Sequence, residues 1–174
     1  MVPNYTRARI DSLRDAFEDD NRLRAESEQS RMVEFTQAMR LKFPGMRSTE
    51  AQLMRRWLAL HESEYDRFDY NVRIGAARDP GPQFPDWVRK AAKDCSQLRM
   101  DAIAFKGNQA TIIELKKWAY PDGAQQLALY GAVWWSENAA LPRPQLLLVA
   151  VIVDQATWAT ASAANIRIVE MGYA

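Results

Sequence analysis

The chain has one cysteine, one histidine, and no run of apolar residues long enough to cross a bilayer. A lone Cys95 excludes a disulfide framework and a thiolate zinc site, and reads as filler rather than as a nucleophile. A membrane span needs about 18 consecutive apolar residues, and residues 1–9 lack the apolar centre of a signal peptide. The expectation is a soluble, intracellular protein with no membrane partner. Charge of one sign is also lacking, since the formal net charge is +1. That total says nothing about nucleic acid, because binding needs a local basic surface. What is present is 174 residues, 48% of them hydrophobic, enough for one core and an extension.

The charges are unevenly spread. Residues 1–46 balance to zero, whereas residues 87–117 carry an excess of four positive charges from Arg89, Lys90, Lys93, Arg99, Lys106, Lys116 and Lys117. Residues 6–41 contain neither proline nor glycine, and alternate in charge around a thin apolar stripe, so a charged helical arm is expected over 1–46 and a domain over 47–174. Ser48 or Thr49 can cap a helix reaching about residue 65, with Leu53, Met54, Trp57 and Leu58 inward. A short strand is expected over 69–75, a proline-rich loop after it, and a turn or two of helix over 87–93. A second helix is expected over 124–135. The apolar residues 145–153 have the character of a strand covered on both faces. A helix over 156–164 and a strand over 166–171 complete the pattern, an α/β fold.

Residues 97–106 and 109–117 read as strands joined by Gly107-Asn108, a two-residue hairpin turn of type I′ or II′. Opposed pairs then sum to 215. Met100, Ala102 and Ala104 meet Leu115, Ile113 and Thr111 on one face; Ile103 meets Ile112, Asp101 meets Glu114, and Arg99 meets Lys116 on the other. Two opposed carboxylates destabilise a ladder by up to roughly 1 kcal/mol. A divalent cation between them, Mg²⁺ or Mn²⁺, turns the repulsion into attraction. Glu114 and Lys116 project from the same face, placing an ammonium beside the metal. The alternative leaves Asp101 at an exposed edge with Glu114 paired to Lys116 or Arg99. Against it, Ile112, Ile113 and Leu115 suggest an interior strand, where charges are rare unless functional.

Asp101, then Ile-Ile-Glu114-Leu-Lys116, followed by Gln126-Leu-Ala-Leu-Tyr130, resembles the PD-(D/E)XK nuclease superfamily and its RecB-like branch, which carries a Q-x-x-x-Y motif after E-x-K. The resemblance covers about residues 48–154. It implies a restriction-endonuclease-like core, a mixed sheet flanked by helices, and metal-dependent hydrolysis of DNA in repair, recombination or phage DNA processing. It also implies catalytic roles for Asp101, Glu114, Lys116, Gln126 and Tyr130. Metal would sit on Asp101 and Glu114 with a first-helix glutamate, Glu50, in preference to Glu62 or Glu64. Arg89, Lys90, Lys93, Arg99 and Lys117 are the candidate DNA contacts. Met100 stands where the proline naming the family would be, and His61, within a helix, reads as a surface or core residue. Two other functions fit the pattern. A phage head-completion or connector-type protein would keep the fold with an idle site and pack through its arm into a homo-oligomer or phage particle, being virion-associated instead of cytoplasmic. A regulatory module would bind DNA without cutting it.

Overall fold

A computed structural model describes Phe43 and residues 45–173; the arm expected over 1–46 lies almost wholly outside the described residues. The elements are α1 (Ser48–His61), a 3₁₀ turn (Glu62–Glu64), β1 (Arg67–Ile74), α2 (Asp86–Ser96), β2 (Leu98–Lys106), β3 (Gln109–Ala119), α3 (Pro121–Glu137), β4 (Gln145–Val153), α4 (Gln155–Ala163) and β5 (Ile166–Glu170). The strands form one sheet in the order β1-β2-β3-β4-β5. The first three are antiparallel, and β4 and β5 then add in parallel through the α3 and α4 crossovers. This is the expected mixed sheet flanked by helices.

Several boundaries differ from the sequence expectation for local reasons. The first helix is capped at Arg47, not at Ser48 or Thr49: Glu50 reaches back three residues and accepts from the Arg47 N–H at 2.8 Å. It ends at His61, where the backbone tightens into the 3₁₀ turn. Residues 121–123 belong to α3, because proline suits the first helical position, where its missing N–H would have no partner. Asp154 caps α4 by accepting from the Ala156 N–H at 2.9 Å.

The two faces of the sheet are covered differently. Leu53, Met54, Trp57 and Leu58 of α1 pack on Ala102, Ala104, Ile113, Leu115, Leu147 and Val149. Ala124, Leu127, Tyr130 and Trp134 of α3, with Ala161 of α4, pack on Ile103, Ile112, Leu148 and Ala150. Each wholly buried Leu or Ile contributes roughly 1.5–3 kcal/mol by leaving water. β4 is covered on both faces, as its apolar run foretold.

The hairpin register is the expected one, from Lys106 opposite Gln109 to Ala102 opposite Ile113. Gly107 has φ +55° and Asn108 no positive φ, which selects the type II′ pattern. Beyond Ala102 the expectation needs correction. Met100 does not share a face with Ala102 and Ala104; it packs in the α3-side core with Ile103. In β1, Tyr70 and Val72 likewise fall on opposite sides, although Tyr70 pairs with Ala102 and Val72 with Met100. Between them stands Asn71 at φ +55°. A left-handed residue breaks the two-residue alternation, so β1 and β2 change face together at Asn71 and Asp101.

Candidate active site

Asp101 sits where the face change occurs. The β2–β3 pairs stop at Ala102–Ile113, while β3 runs on to Ala119 alongside β4. In a continued ladder the Leu115 N–H would belong to the Met100–Leu115 pair; here Asp101 Oδ2 accepts it, at 2.9 Å. The carboxylate thus bridges the split between the two strands. Asp101 is therefore not an exposed edge residue, and its position depends on strand divergence as well as on register.

Glu114, on the interior strand β3, is only 2% exposed. Its Oε1 accepts from Lys116 Nζ at 2.6 Å, while its Oε2 is buried with no hydrogen-bond partner. A buried, unpartnered carboxylate oxygen is costly unless something further occupies the site. Burial first, and then repulsion from Asp101, push the Glu114 carboxyl up to about 7, against the pull of Lys116. Burial also raises Asp101; the Leu115 N–H opposes that shift and the charge of Glu50 adds to it. For Lys116, burial acts to lower the pKa, but Glu114 and Asp101 outweigh it and hold the ammonium above its usual value.

The helix after β3 completes the arrangement. Lys116 Nζ also donates to Gln126 Oε1 at 3.3 Å, and Gln126 Nε2 hydrogen-bonds to the Tyr130 hydroxyl. Tyr130 is almost fully buried, and burial raises its hydroxyl pKa. Gln126 and Tyr130 share a face of α3 because they are four residues apart. The structure thus links Glu114, Lys116, Gln126 and Tyr130 in one polar chain, with Asp101 beside it.

Of the three glutamates expected as candidates, Glu50 is the one whose charge acts on both Asp101 and Glu114. One of its oxygens caps α1. Glu62 and Glu64 lie past the far end of that helix, and Glu64 pairs with His61 at 2.6 Å. His61 also stacks on Trp57, with centroids 5.1 Å apart. Among the described residues, no group of three or more His, Cys, Asp and Glu side chains is clustered to hold a metal. The groups that could hold a cation here are the Asp101 and Glu114 carboxylates, and Glu114 Oε2 has no hydrogen-bond partner. Two carboxylates and no thiolate or imidazole suit a hard cation that retains several waters, which is Mg²⁺ or Mn²⁺ chemistry.

The basic residues divide into two groups. Arg89 and Lys93 pair with Asp79 at 2.6 and 3.0 Å, and Lys90 pairs with Asp94 at 2.8 Å. Arg89 first, then the Gly81 N–H and Lys93, hold Asp79 well below the usual carboxylate range. Arg99 and Lys117 are exposed on the site strands themselves, β2 and β3, and Arg99 pulls on the Asp101 charge.

Gly123 was not visible as a site residue from the sequence, where it stood just ahead of the helix expected over 124–135. It is buried in the first turn of α3, and a Cβ there would lie 3.4 Å from Lys116 Cε. The missing side chain makes room for the lysine stem. Gly123→Ala therefore meets ordinary contact and should change little, whereas Gly123→Val should displace the ammonium. If the site cuts DNA, the valine variant should lose on the order of 10²-fold in rate with unchanged far-UV circular dichroism. Equal rates for the two variants would show that the lysine does not need this space.

The fold and site define a mixed α/β domain with two carboxylates and a lysine converging on an interior strand. No protein-family model matches the chain, and no curated protein matches it. Among solved structures, the chain is similar to apo EndoMS, at TM-score 0.46 and 13% identity over 75% of this chain and 49% of that one. An EndoMS complex with double-stranded DNA gives TM-score 0.44 and 11% identity over 76% and 48%. A crystal structure of a protein of unknown function gives TM-score 0.45 and 13% identity over 68% and 56%. The chain spans about half the length of these structures.

Proposed function

We propose that this chain is a metal-dependent nuclease that hydrolyses phosphodiester bonds in DNA. The observation that carries the reading is the buried Glu114 carboxylate, with one oxygen on Lys116 and the other without a partner, next to a second carboxylate. A domain folding for stability alone would put an apolar residue there, since burying a carboxylate with one oxygen left without a hydrogen bond is unfavourable. Asp101 and Glu114 would hold Mg²⁺ or Mn²⁺, with Glu50 within electrostatic reach. When bound, such an ion offsets charge developing on the phosphate and makes a coordinated water more acidic.

The protein's own residues do the rest. Glu114 holds the Lys116 ammonium at 2.6 Å, and Gln126 Oε1 accepts from it at 3.3 Å. An ammonium held in this way can orient an attacking water and accompany the phosphate charge. Tyr130 holds Gln126 in turn, so the lysine position depends on α3 packing against β3. Arg99 and Lys117, exposed on β2 and β3, would meet backbone phosphates. The α2 cations can exchange their exposed acidic partners for phosphate at small cost, because surface ion pairs contribute about 0–1 kcal/mol.

The test is cleavage of circular, linear, single-stranded and branched DNA by the purified chain, with Mg²⁺, with Mn²⁺ and with chelator. Cutting that depends on the metal is expected. Lys116→Ala should slow it by about 10²–10³-fold while leaving DNA affinity nearly unchanged, since one phosphate contact among several is lost. If no substrate is cut with either metal, the nuclease reading fails.

A further inference from the structure

Three large aromatic side chains are left half exposed around the end of β3: Trp118 at 50%, Tyr120 at 51%, and Trp158 of α4 at 46%. Such rings normally contribute by burial, so leaving three in water at one place is uneconomical for the fold alone. Their placement follows from backbone contacts. Trp118 and Tyr120 lie two and four residues beyond Lys116, and Tyr120 is still extended, with φ −110° and ψ 168°. Ala119, between them, accepts at its carbonyl from the Asp154 N–H and from the Thr157 hydroxyl, both at 3.0 Å. Trp158, next to Thr157, is tied to the same rim. Here the parallel pair β3–β4 reaches its carboxyl end, where Ala119 pairs with Val153. Open α/β sheets place ligands beyond that end.

The charge pattern distinguishes the possible occupants. The centres of protein interfaces are depleted of lysine, yet here exposed Lys117 directly precedes the first ring and Lys116 precedes Lys117. Two cations followed by two exposed rings along one strand suit a chain of bases and phosphates. Each unpaired base offers a face for stacking, and each phosphate a charge for a lysine. We propose that Trp118 and Tyr120 form a stacking platform for the unpaired bases of single-stranded nucleic acid, whose backbone passes Lys117 toward Lys116 and the carboxylates. This deepens the nuclease reading and rests on it: the substrate class is a strand that is single-stranded, or frayed, next to the cleavage point. Trp158 extends the rim for a neighbouring base.

The experiment is a binding titration of the whole chain in chelator, so that no cleavage intervenes, read by fluorescence anisotropy of end-labelled single-stranded and blunt duplex oligonucleotides of equal length. The wild type should bind the single strand more tightly. Trp118→Ala and Tyr120→Ala should each weaken single-strand binding about fivefold or more, with little effect on duplex. Trp118→Phe, which keeps a ring, should recover most of the affinity. Leu60→Ala, removing an exposed side chain on α1, should change nothing. Unaltered thermal melting of the variants would show that the fold is intact, as expected for half-exposed rings. Single-strand affinity unchanged in both alanine variants would overturn the platform and leave these rings to another partner. So would a wild type that favours blunt duplex or binds neither oligonucleotide. A wild type that uses the rings for single strands but cuts nothing would overturn the nuclease reading and leave the platform standing.

Discussion

Glu114→Gln should leave a folded protein whose metal-dependent DNA cleavage is slower by about 10²–10³-fold or more. Glutamine keeps nearly the volume of glutamate, so the closely packed surroundings on β3 need not move. What changes is charge. The Lys116 ammonium loses the anion that holds it at 2.6 Å, and the site loses one of its two carboxylate donors. Both effects act on the reacting phosphate and not on the core. The measurement is a single-turnover cleavage rate, with circular dichroism and chemical denaturation to establish the fold. A Glu114→Gln variant that cuts at the wild-type rate would remove the carboxylate pair from the mechanism. Glu50→Gln should have a smaller effect, because one Glu50 oxygen already serves as the α1 cap.

Raising pH should destabilise the metal-free protein between about 4.5 and 7. The Glu114 carboxyl is pushed up to about 7 in the folded state from an ordinary value of 4.5. Within that window the folded chain retains a proton that the unfolded chain has released, so stability is greatest below the unfolded value and is lost as pH rises through the folded one. The shift amounts to on the order of 3 kcal/mol, and Asp101 shifts in the same sense. Asp79 and Asp94, which are lowered, act below their ordinary value of 3.8 and outside the window. At pH 8 Glu114→Gln should therefore melt higher than wild type by roughly 5–10 °C. Mg²⁺ or Mn²⁺ should raise the melting temperature of wild type at pH 8, because a ligand that binds only the folded state stabilises it, and should raise the variant much less. Melting curves across pH 4–9, with and without metal, measure all of this. A flat wild-type profile would mean that water already reaches the partnerless Glu114 oxygen.

The signals legible in the sequence were the short-range ones. Gly107-Asn108 fixes a hairpin because two residues can reverse a strand in very few ways, and the alternation of Ile112 to Lys116 then sets which side chains share a face. The spacing of Gln126 and Tyr130 places both on one side of a helix whatever surrounds it. Less visible was the α1 cap, where the longer reach of Glu50 replaces the expected serine or threonine. Gly123 also escaped notice, because an absent side chain matters only when the neighbour using its space is known.

By itself, the sequence determined the element order, the 215 register and the presence of two carboxylates and a lysine on neighbouring strands, since each depends on contacts a few residues apart. Only the tertiary structure decided how that hairpin ends. Asn71, on a different strand and thirty residues from Asp101, takes a left-handed turn with which β1 and β2 change face together. The split that follows lets Asp101 accept the Leu115 N–H. The burial that raises Glu114, the restraint of Lys116 by Gln126 and the approach of Glu50 arise only when α1 and α3 close on opposite faces of the sheet. Desolvation and charge repulsion depend on distance through space, and a linear sequence does not record that distance.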